Sequence, residues 1–280
     1  MYEAEINRAT PTCMVFLLDQ SASMKARIGG GSEAKQQVVA DSLNHLLGEL
    51  INRCVRQGDI YDFFHIGVIS YGRTVGPALG GALGGGRLVT SSELAHHPLR
   101  VENRRIRRPG NGGGFYEYDE EVPIWVDAAA EGLTPMTRAL EQTHDLLKAW
   151  VDENPRSYPP IVLNMTDGEA TDGDPARAGE RIRSLTTHDG GALLFNLHIS
   201  SKELDPVRFP AADGGLPKSG RRLFGMSSRL PERMRLYADA ELGLEVSQGS
   251  RGFVYNADIA SIIHFLDVGT RPVYHRNGAA

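Results

Sequence analysis

Apolar residues along this chain fall into two patterns: short, mostly apolar runs, and longer segments in which they recur every three or four positions. The short runs predict strands buried on both faces, and they cover residues 13–18, 63–71, 161–165 and 193–199. The periodic segments predict amphipathic helices, and the clearest cover residues 33–57, 137–151, 231–242 and 259–268. Strands that alternate with helices in this way predict an α/β protein with a Rossmann-like, mostly parallel central sheet and helices on both faces.

Three stretches depart from this alternation. Residues 76–118 are rich in glycine at both ends and in arginine between, and they predict an elaborated hairpin. Residues 121–128 have a strand-like pattern that contains Pro123, which is typical of an edge strand. Residues 201–228 are rich in proline and glycine and predict a long surface loop.

A cluster of oxygen-bearing side chains follows the first apolar run. Asp19, Ser21 and Ser23 stand at alternate positions where the strand is predicted to end, which is where open α/β sheets place their binding sites. Oxygen-only clusters suit Mg²⁺, Mn²⁺ or Ca²⁺ better than zinc. Taken alone, however, these three residues are explained equally well by a helix-capping turn.

Two further oxygen ligands stand at the ends of other predicted elements. Thr134 lies in a Gly-Leu-Thr-Pro-Met turn that opens a helical pattern, and Asp167 closes the apolar run that ends in Asn-Met-Thr-Asp-Gly. In order and approximate spacing, the three-part set resembles the metal-ion-dependent adhesion site of the von Willebrand factor A (VWA) domain family. The sheet of that family carries one antiparallel edge strand after its second strand, which here would be residues 121–128.

The resemblance implies a ligand set and a mode of action. Carried over residue by residue, it assigns Asp19, Ser21, Ser23, Thr134 and Asp167 to a Mg²⁺ site, with Mn²⁺ and Ca²⁺ as alternatives. An acidic residue of a partner protein would complete the coordination. The site would therefore act as a metal-mediated hook for another protein and not as a catalyst.

The neighbours of these ligands and the wider family suggest who the partner is. Pro135, Gly168 and Glu169 flank the ligands and are candidates for partner contact, although Glu169 is more simply explained as a solvated loop acid. Among intracellular bacterial members, the chain resembles the tellurite-resistance-associated VWA proteins. That resemblance implies work beside an ATPase, kinase or phosphatase in a stress or defence system.

Composition sets bounds on these expectations. A chain of 280 residues with 41% hydrophobic residues and a net charge of −5 predicts one globular domain over residues 12–270, between a lead-in (1–11) and a tail (271–280). The mild acidity gives no general attraction to nucleic acids or membranes. No export signal is evident, and Cys13 and Cys54 are predicted as buried thiols, so we expect a cytoplasmic protein.

Two alternative functions use other features of the sequence. Five arginines between Arg100 and Arg108 could contact a nucleic acid, although a solvated charged hairpin is favoured because no aromatic platform interleaves them. A metal-dependent phosphoesterase or phosphotransfer enzyme could use the same metal. Phosphotransferases of the haloacid dehalogenase type place a second Asp two positions after the first, where this chain has Ser21, and no general base is evident. We therefore predict that the chain is not an enzyme.

Overall fold

A computed structural model describes residues 2–85, 88–109 and 115–271. Within these residues the strands are β1 (Thr12–Asp19), β2 (Val55–Arg56), β3 (Asp59–Ile60), β4 (Phe64–Tyr71), β5 (Val75–Pro77), β6 (Val89–Thr90), β7 (Arg100–Pro109), β8 (Phe115–Ile124), β9 (Ile161–Thr166), β10 (Thr186–Thr187), β11 (Gly190–Gly191), β12 (Leu193–Ile199), β13 (Val207–Arg208) and β14 (Phe253–Ala257). The helices are α1 (Lys35–Cys54), α2 (Ser91–His96), α3 (Met136–Glu153), α4 (Ala176–Ser184), α5 (Lys218–Met226), α6 (Glu232–Ala240) and α7 (Ile259–Gly269). None of these helices combines the length and apolar character that a membrane span requires.

The central sheet confirms the predicted mostly parallel arrangement. Its strand order is β13-β14-β12-β9-β1-β4-β5, and β6 also pairs with β4. The five central strands run parallel to their neighbours, whereas β5 and β6 run antiparallel to β4, and β13 runs antiparallel to β14 at the other edge. Because β1 lies between β4 and β9, the chain leaves its first strand in one direction and later returns on the opposite side, which creates a switch point at their carboxyl ends.

Both faces of the sheet are covered, which explains why the strand sequences are apolar without alternation. Along β1, Met14, Phe16 and Leu18 belong to the apolar cluster that includes residues of α1 and α7. The intervening residues, Cys13, Val15 and Leu17, belong to a second cluster with residues of α3 and α4. Cys13 and Cys54 are both buried free thiols, as predicted.

The prediction that residues 121–128 form the antiparallel edge strand is wrong. The edge position beside β4 is taken by β5, which follows β4 after a turn of only three residues, and by β6. β8 instead pairs with β7 in a separate two-stranded ribbon. Beyond β8, the backbone amides of Trp125 and Val126 donate to the Asn44 side chain of α1, which satisfies them without a sheet partner.

Other boundaries differ in informative ways. The first helix covers Lys35–Cys54 and not residues 33–57, because the chain turns into the short β2–β3 hairpin at Val55. Residues 201–228 contain β13 and α5, and α5 buries Leu223, Phe224 and Met226, so this stretch is more ordered than the predicted loop. Residues 272–280 of the predicted tail lie outside the described residues.

Candidate metal centre

The first loop of the site is fixed by the buried carboxylate that ends β1. Asp19 is 1% exposed. Its Oδ1 accepts a hydrogen bond from the Ser21 amide (2.9 Å), and its Oδ2 accepts one from the Thr166 hydroxyl at the end of β9 (2.7 Å). The Gln20 amide donates to the Tyr71 carbonyl of β4 (2.7 Å). The loop that carries the two serines is thus anchored to the strands on both sides of β1.

The two serine hydroxyls connect the first loop to the third. Ser21 Oγ and Ser23 Oγ lie 3.0 Å apart, and the Ser23 hydroxyl donates to Asp167 Oδ1 at 2.7 Å. Ser21 is buried, whereas Ser23 is exposed. The structure therefore brings Asp19, Ser21, Ser23 and Asp167 together at the carboxyl ends of β1 and β9, where the sequence places them.

Thr134 lies on the second loop, which is held between the other two. The Glu131 amide donates to the Gln20 carbonyl (2.6 Å), and the Ala22 amide donates to the Gly132 carbonyl (3.0 Å). Gly132 has φ +84°, and a Cβ there would lie 2.6 Å from the Arg73 backbone, so this approach requires glycine. Thr134 is 6% exposed, and within the described part of the chain its hydroxyl makes no hydrogen bond to the other four candidate ligands.

The second and third loops are joined by contacts that the sequence did not indicate. The Thr134 amide donates to Thr171 Oγ1 (3.0 Å), and the Thr171 amide donates to the Thr134 carbonyl (2.9 Å). The Asp172 carboxylate then accepts from the amides of Thr137 and Arg138 at 3.0 and 2.9 Å, and so caps the first turn of α3. A capping residue from a distant loop has no local sequence signature, which is why sequence reasoning missed it.

A lysine is the second feature that sequence reasoning missed. Lys35, the first residue of α1, places its Nζ 2.6 Å from Asp167 Oδ2, and the two side chains are only 4% and 1% exposed. Its backbone amide donates to the Ala26 carbonyl (3.0 Å) and so ties α1 to the first loop. A lysine at the start of a helix is ordinarily solvated, so nothing in the sequence marks it as part of the site.

Burial governs the electrostatics of the cluster. Loss of hydration raises the pKa of Asp19, and the nearby Asp167 charge acts in the same direction, while hydrogen bonds from Ser21 and Thr166 oppose the shift. His198, which is paired with Thr166 in the sheet register and stacks on Tyr255, has its pKa lowered by burial to about 4.

The donor set fits a small, hard divalent cation. Ligands at 2.0–2.1 Å in an octahedron lie about 2.9 Å apart along an edge, close to the 3.0 Å that separates the two serine oxygens. All four carboxylate oxygens of Asp19 and Asp167 already accept hydrogen bonds, which suits aspartates that orient ligands and bound water. No group of three or more His, Cys, Asp or Glu residues suited to a metal occurs among the described residues.

Comparisons with known proteins found similar structures but no match in sequence. No protein-family model matches it, and no curated protein is significantly similar to it in sequence. Similar solved structures include the manganese-loaded TRAP protein of Plasmodium vivax, with 15% identity over 92% of this chain and 72% of that one and a TM-score of 0.44. The vWF domain of the type V pili tip protein Mfa5 from Porphyromonas gingivalis is also similar, with 14% identity over 57% of this chain and 39% of that one and a TM-score of 0.33. The pilus adhesin SpaC from Lactobacillus rhamnosus GG has 12% identity over 92% of this chain and 30% of that one and a TM-score of 0.48.

The chain therefore spans less than two thirds of the solved Mfa5 domain and of SpaC. At these identities, the roles of individual residues rest on the geometry of this chain.

The residues that flank the candidate ligands lie on the rim of the site. Pro135 immediately precedes α3, and the Gly168 amide lies 3.2 Å from Thr166 Oγ1. The Glu169 side chain is 59% exposed and lies 3.7 Å from Arg222, as expected for a loop acid at the surface. Leu133, next to Thr134, is 70% exposed and is an apolar group that the sequence did not single out.

The arginines of this segment whose side chains the structure describes, Arg100, Arg104 and Arg105, are matched by acids of their own ribbon and of its neighbours. Arg104 pairs with Glu102 at 2.9 Å and with Asp41 of α1 at 2.7 Å, and Arg105 pairs with Glu117 at 3.2 Å. In the register of the ribbon, the strand that contains the arginines faces the strand that contains Glu117, Asp119, Glu120 and Glu121. This compensation disfavours the nucleic-acid alternative, because a phosphate-binding surface needs uncompensated positive charge.

Proposed function

We propose that this chain is a metal-dependent protein-interaction module of the VWA type, in which a cation at the ends of β1 and β9 receives a carboxylate from a partner protein. The observation that carries the proposal is the hydrogen-bonded series Ser21–Ser23–Asp167 at the switch point of the sheet. We propose Mg²⁺ as the resident cation, with Mn²⁺ and Ca²⁺ as alternatives. When bound, the cation supplies a hard Lewis-acidic centre for an anionic oxygen.

Each residue of the set has a proposed part. Ser21 and Ser23 offer hydroxyl oxygens as direct ligands, and Ser23 can keep donating its proton to Asp167 while a lone pair faces the cation. Asp19 and Asp167 orient the serines and bound water through hydrogen bonds. Thr134, whose hydroxyl is free of the other ligands, offers a further oxygen from the loop that adjoins the partner face.

The partner is proposed from the chemistry of the rim. A site whose direct ligands are neutral hydroxyls leaves the cation with residual positive charge, which attracts an Asp or Glu of another protein. Leu133 offers apolar contact beside it, and Pro135, Gly168 and Glu169 offer further contact area. Following the family resemblance, we propose an ATPase, kinase or phosphatase of a bacterial stress or tellurium-resistance system as the partner, in the cytoplasm.

Binding of Mn²⁺ tests the proposal, since Mn²⁺ shares the oxygen preference of Mg²⁺ and its free form is visible by electron paramagnetic resonance. Ser23→Ala should weaken Mn²⁺ binding by about tenfold or more, because it removes a ligand and the donor to Asp167. Ser247→Ala, at another exposed serine in the loop before β14, should bind like the wild type. Equal affinity in the two variants would contradict the proposed ligand set.

Recognition of the partner is tested separately. Proteins captured by the wild-type chain in Mg²⁺ should be released by EDTA and should not be retained by Ser23→Ala. Capture that persists in EDTA would indicate a protein-binding surface that does not use the metal.

A further inference from the structure

A buried lysine lies inside a site that is otherwise suited to a cation. The Lys35 ammonium contacts Asp167 Oδ2 at 2.6 Å, and both side chains are almost fully enclosed. Lysine is seldom buried at this level unless it is paired, because the loss of hydration must be offset by a nearby opposite charge. Asp167 supplies that charge, and its other oxygen accepts from Ser23.

The position of Lys35 is not explained by helix stability. It is the first residue of α1, where the aligned peptide dipoles present partial positive charge and favour acidic side chains. A cation is disfavoured there, so the contact with Asp167 is what makes this side chain acceptable. The buried pair thus links α1 to the third loop, across the candidate metal centre.

Lys35 also changes the charge of the site. When both are ionised, Asp19 and Asp167 carry two negative charges, and Lys35 reduces the total to one. A divalent cation added to this set leaves one net positive charge, whereas the same set without Lys35 would be neutral. At the short distances within the cluster, the ammonium and the metal repel one another, and burial weakens the screening between them.

We propose that Lys35 sets the charge and affinity of this site: it holds Asp167 in place when no metal is bound, and it weakens the binding of a divalent cation. This inference rests on the proposed metal-binding function. The centre therefore stays folded without metal and binds the cation less tightly. When the cation is bound, the centre keeps more positive charge for a partner carboxylate.

The test is Mn²⁺ binding by Lys35→Met, which keeps much of the side-chain length and removes the charge. Measured by electron paramagnetic resonance or calorimetry, the dissociation constant should fall by about tenfold relative to the wild type, because a buried positive charge beside the cation is removed. Without metal, the melting temperature of Lys35→Met should be lower than that of the wild type, because Asp167 loses its partner. Saturating Mn²⁺ should reduce this difference in melting temperature between Lys35→Met and the wild type.

Lys148→Met is the matched control, because Lys148 is exposed on α3. It should match the wild type in both affinity and melting temperature. Lys35→Gln is the second variant: it keeps a hydrogen-bond donor without the charge, and it serves if Lys35→Met does not fold without metal. Circular dichroism establishes folding in each case.

The outcomes separate this inference from the function on which it rests. Tighter Mn²⁺ binding in a Lys35 variant, with Lys148→Met unchanged, supports it. If the wild type binds Mn²⁺ and the folded Lys35 variants bind it equally or more weakly, the role of Lys35 is overturned while the proposed function stands. If neither the wild type nor the Lys35 variants bind Mn²⁺ at millimolar concentration, both proposals fail.

Discussion

Two regions of this molecule concentrate charge, and they treat it in opposite ways. The β7–β8 ribbon exposes its ion pairs: the side chains of Arg100, Arg104, Arg105 and their acidic partners are 31–73% exposed. In the loop cluster, Asp19, Lys35 and Asp167 are buried almost completely. Water screens the charges of the ribbon, whereas the cluster must compensate its charges by hydrogen bonds and by one buried ion pair.

The contrast indicates where function resides. Exposed pairs contribute little to stability and tolerate substitution, and one of them, between Arg104 and Asp41, ties the ribbon to α1. Buried charges at the end of a sheet are costly, and loss of hydration raises the pKa of Asp19 against its charged form. A fold that places a destabilising charge there is typical of a binding site.

The largest effect on Mn²⁺ binding is expected from Asp19→Asn, which removes one buried charge with almost no change of shape. Mn²⁺ affinity should fall by about 100-fold, because the variant loses negative charge next to the cation and an oriented acceptor. The melting temperature should stay equal or rise, because burial disfavours the charged form of Asp19. Calorimetry and thermal unfolding measure the two quantities.

Asp127→Asn is the control from the ribbon side of the comparison. Asp127 pairs with Arg100 and is 59% exposed. Its loss should leave Mn²⁺ affinity unchanged. If Asp127→Asn weakened Mn²⁺ binding as much as Asp19→Asn, the buried charges of the loop cluster would have no special part in metal binding.

The central strands could be predicted because both of their faces are buried, which selects apolar residues. The bounds predicted for Leu193–Ile199 agree with the structure, since a strand covered on both faces is mostly apolar along its whole length even though it includes Asn196 and His198. The family resemblance implies that Asp19, Ser21, Ser23 and Asp167 lie near one another, and parallel strands make this possible because their carboxyl ends meet at one edge.

What the sequence could not supply depends on contacts between distant segments. Residues 121–124 pair with β7, and the Asn44 side chain accepts hydrogen bonds from the amides of Trp125 and Val126, so this segment has partners outside the central sheet. Lys35 looks like any solvated helix-start lysine until Asp167 is placed beside it. The sequence does indicate a charged hairpin around Arg100–Arg108, and the structure pairs this strand with the acidic strand that contains Glu117 and Glu121.

A second, smaller effect is expected from Thr134→Val, which tests whether the second loop belongs to the buried cluster. Mn²⁺ affinity should fall by about tenfold, since the variant removes one oxygen without removing charge. The melting temperature should change little, because in the described part of the chain the Thr134 hydroxyl makes no hydrogen bond that would be lost. Thr134→Ser restores the oxygen and should restore binding. A wild-type affinity in Thr134→Val would remove this residue from the ligand set.

The smallest effect is expected from Arg104→Ala, which breaks the ion pairs that join the ribbon to Glu102 and to Asp41 of α1. With both partners about one third exposed, the loss should be about 0.2–1 kcal/mol of unfolding free energy in low salt, measured by urea denaturation. High salt should reduce this difference, because exposed charges are screened beyond about 3 Å at 1 M ionic strength. The same salt should leave most of the Lys35→Met destabilisation in place, since that pair is shielded from solvent. Equal salt sensitivity in the two variants would mean that burial does not distinguish the ribbon from the loop cluster.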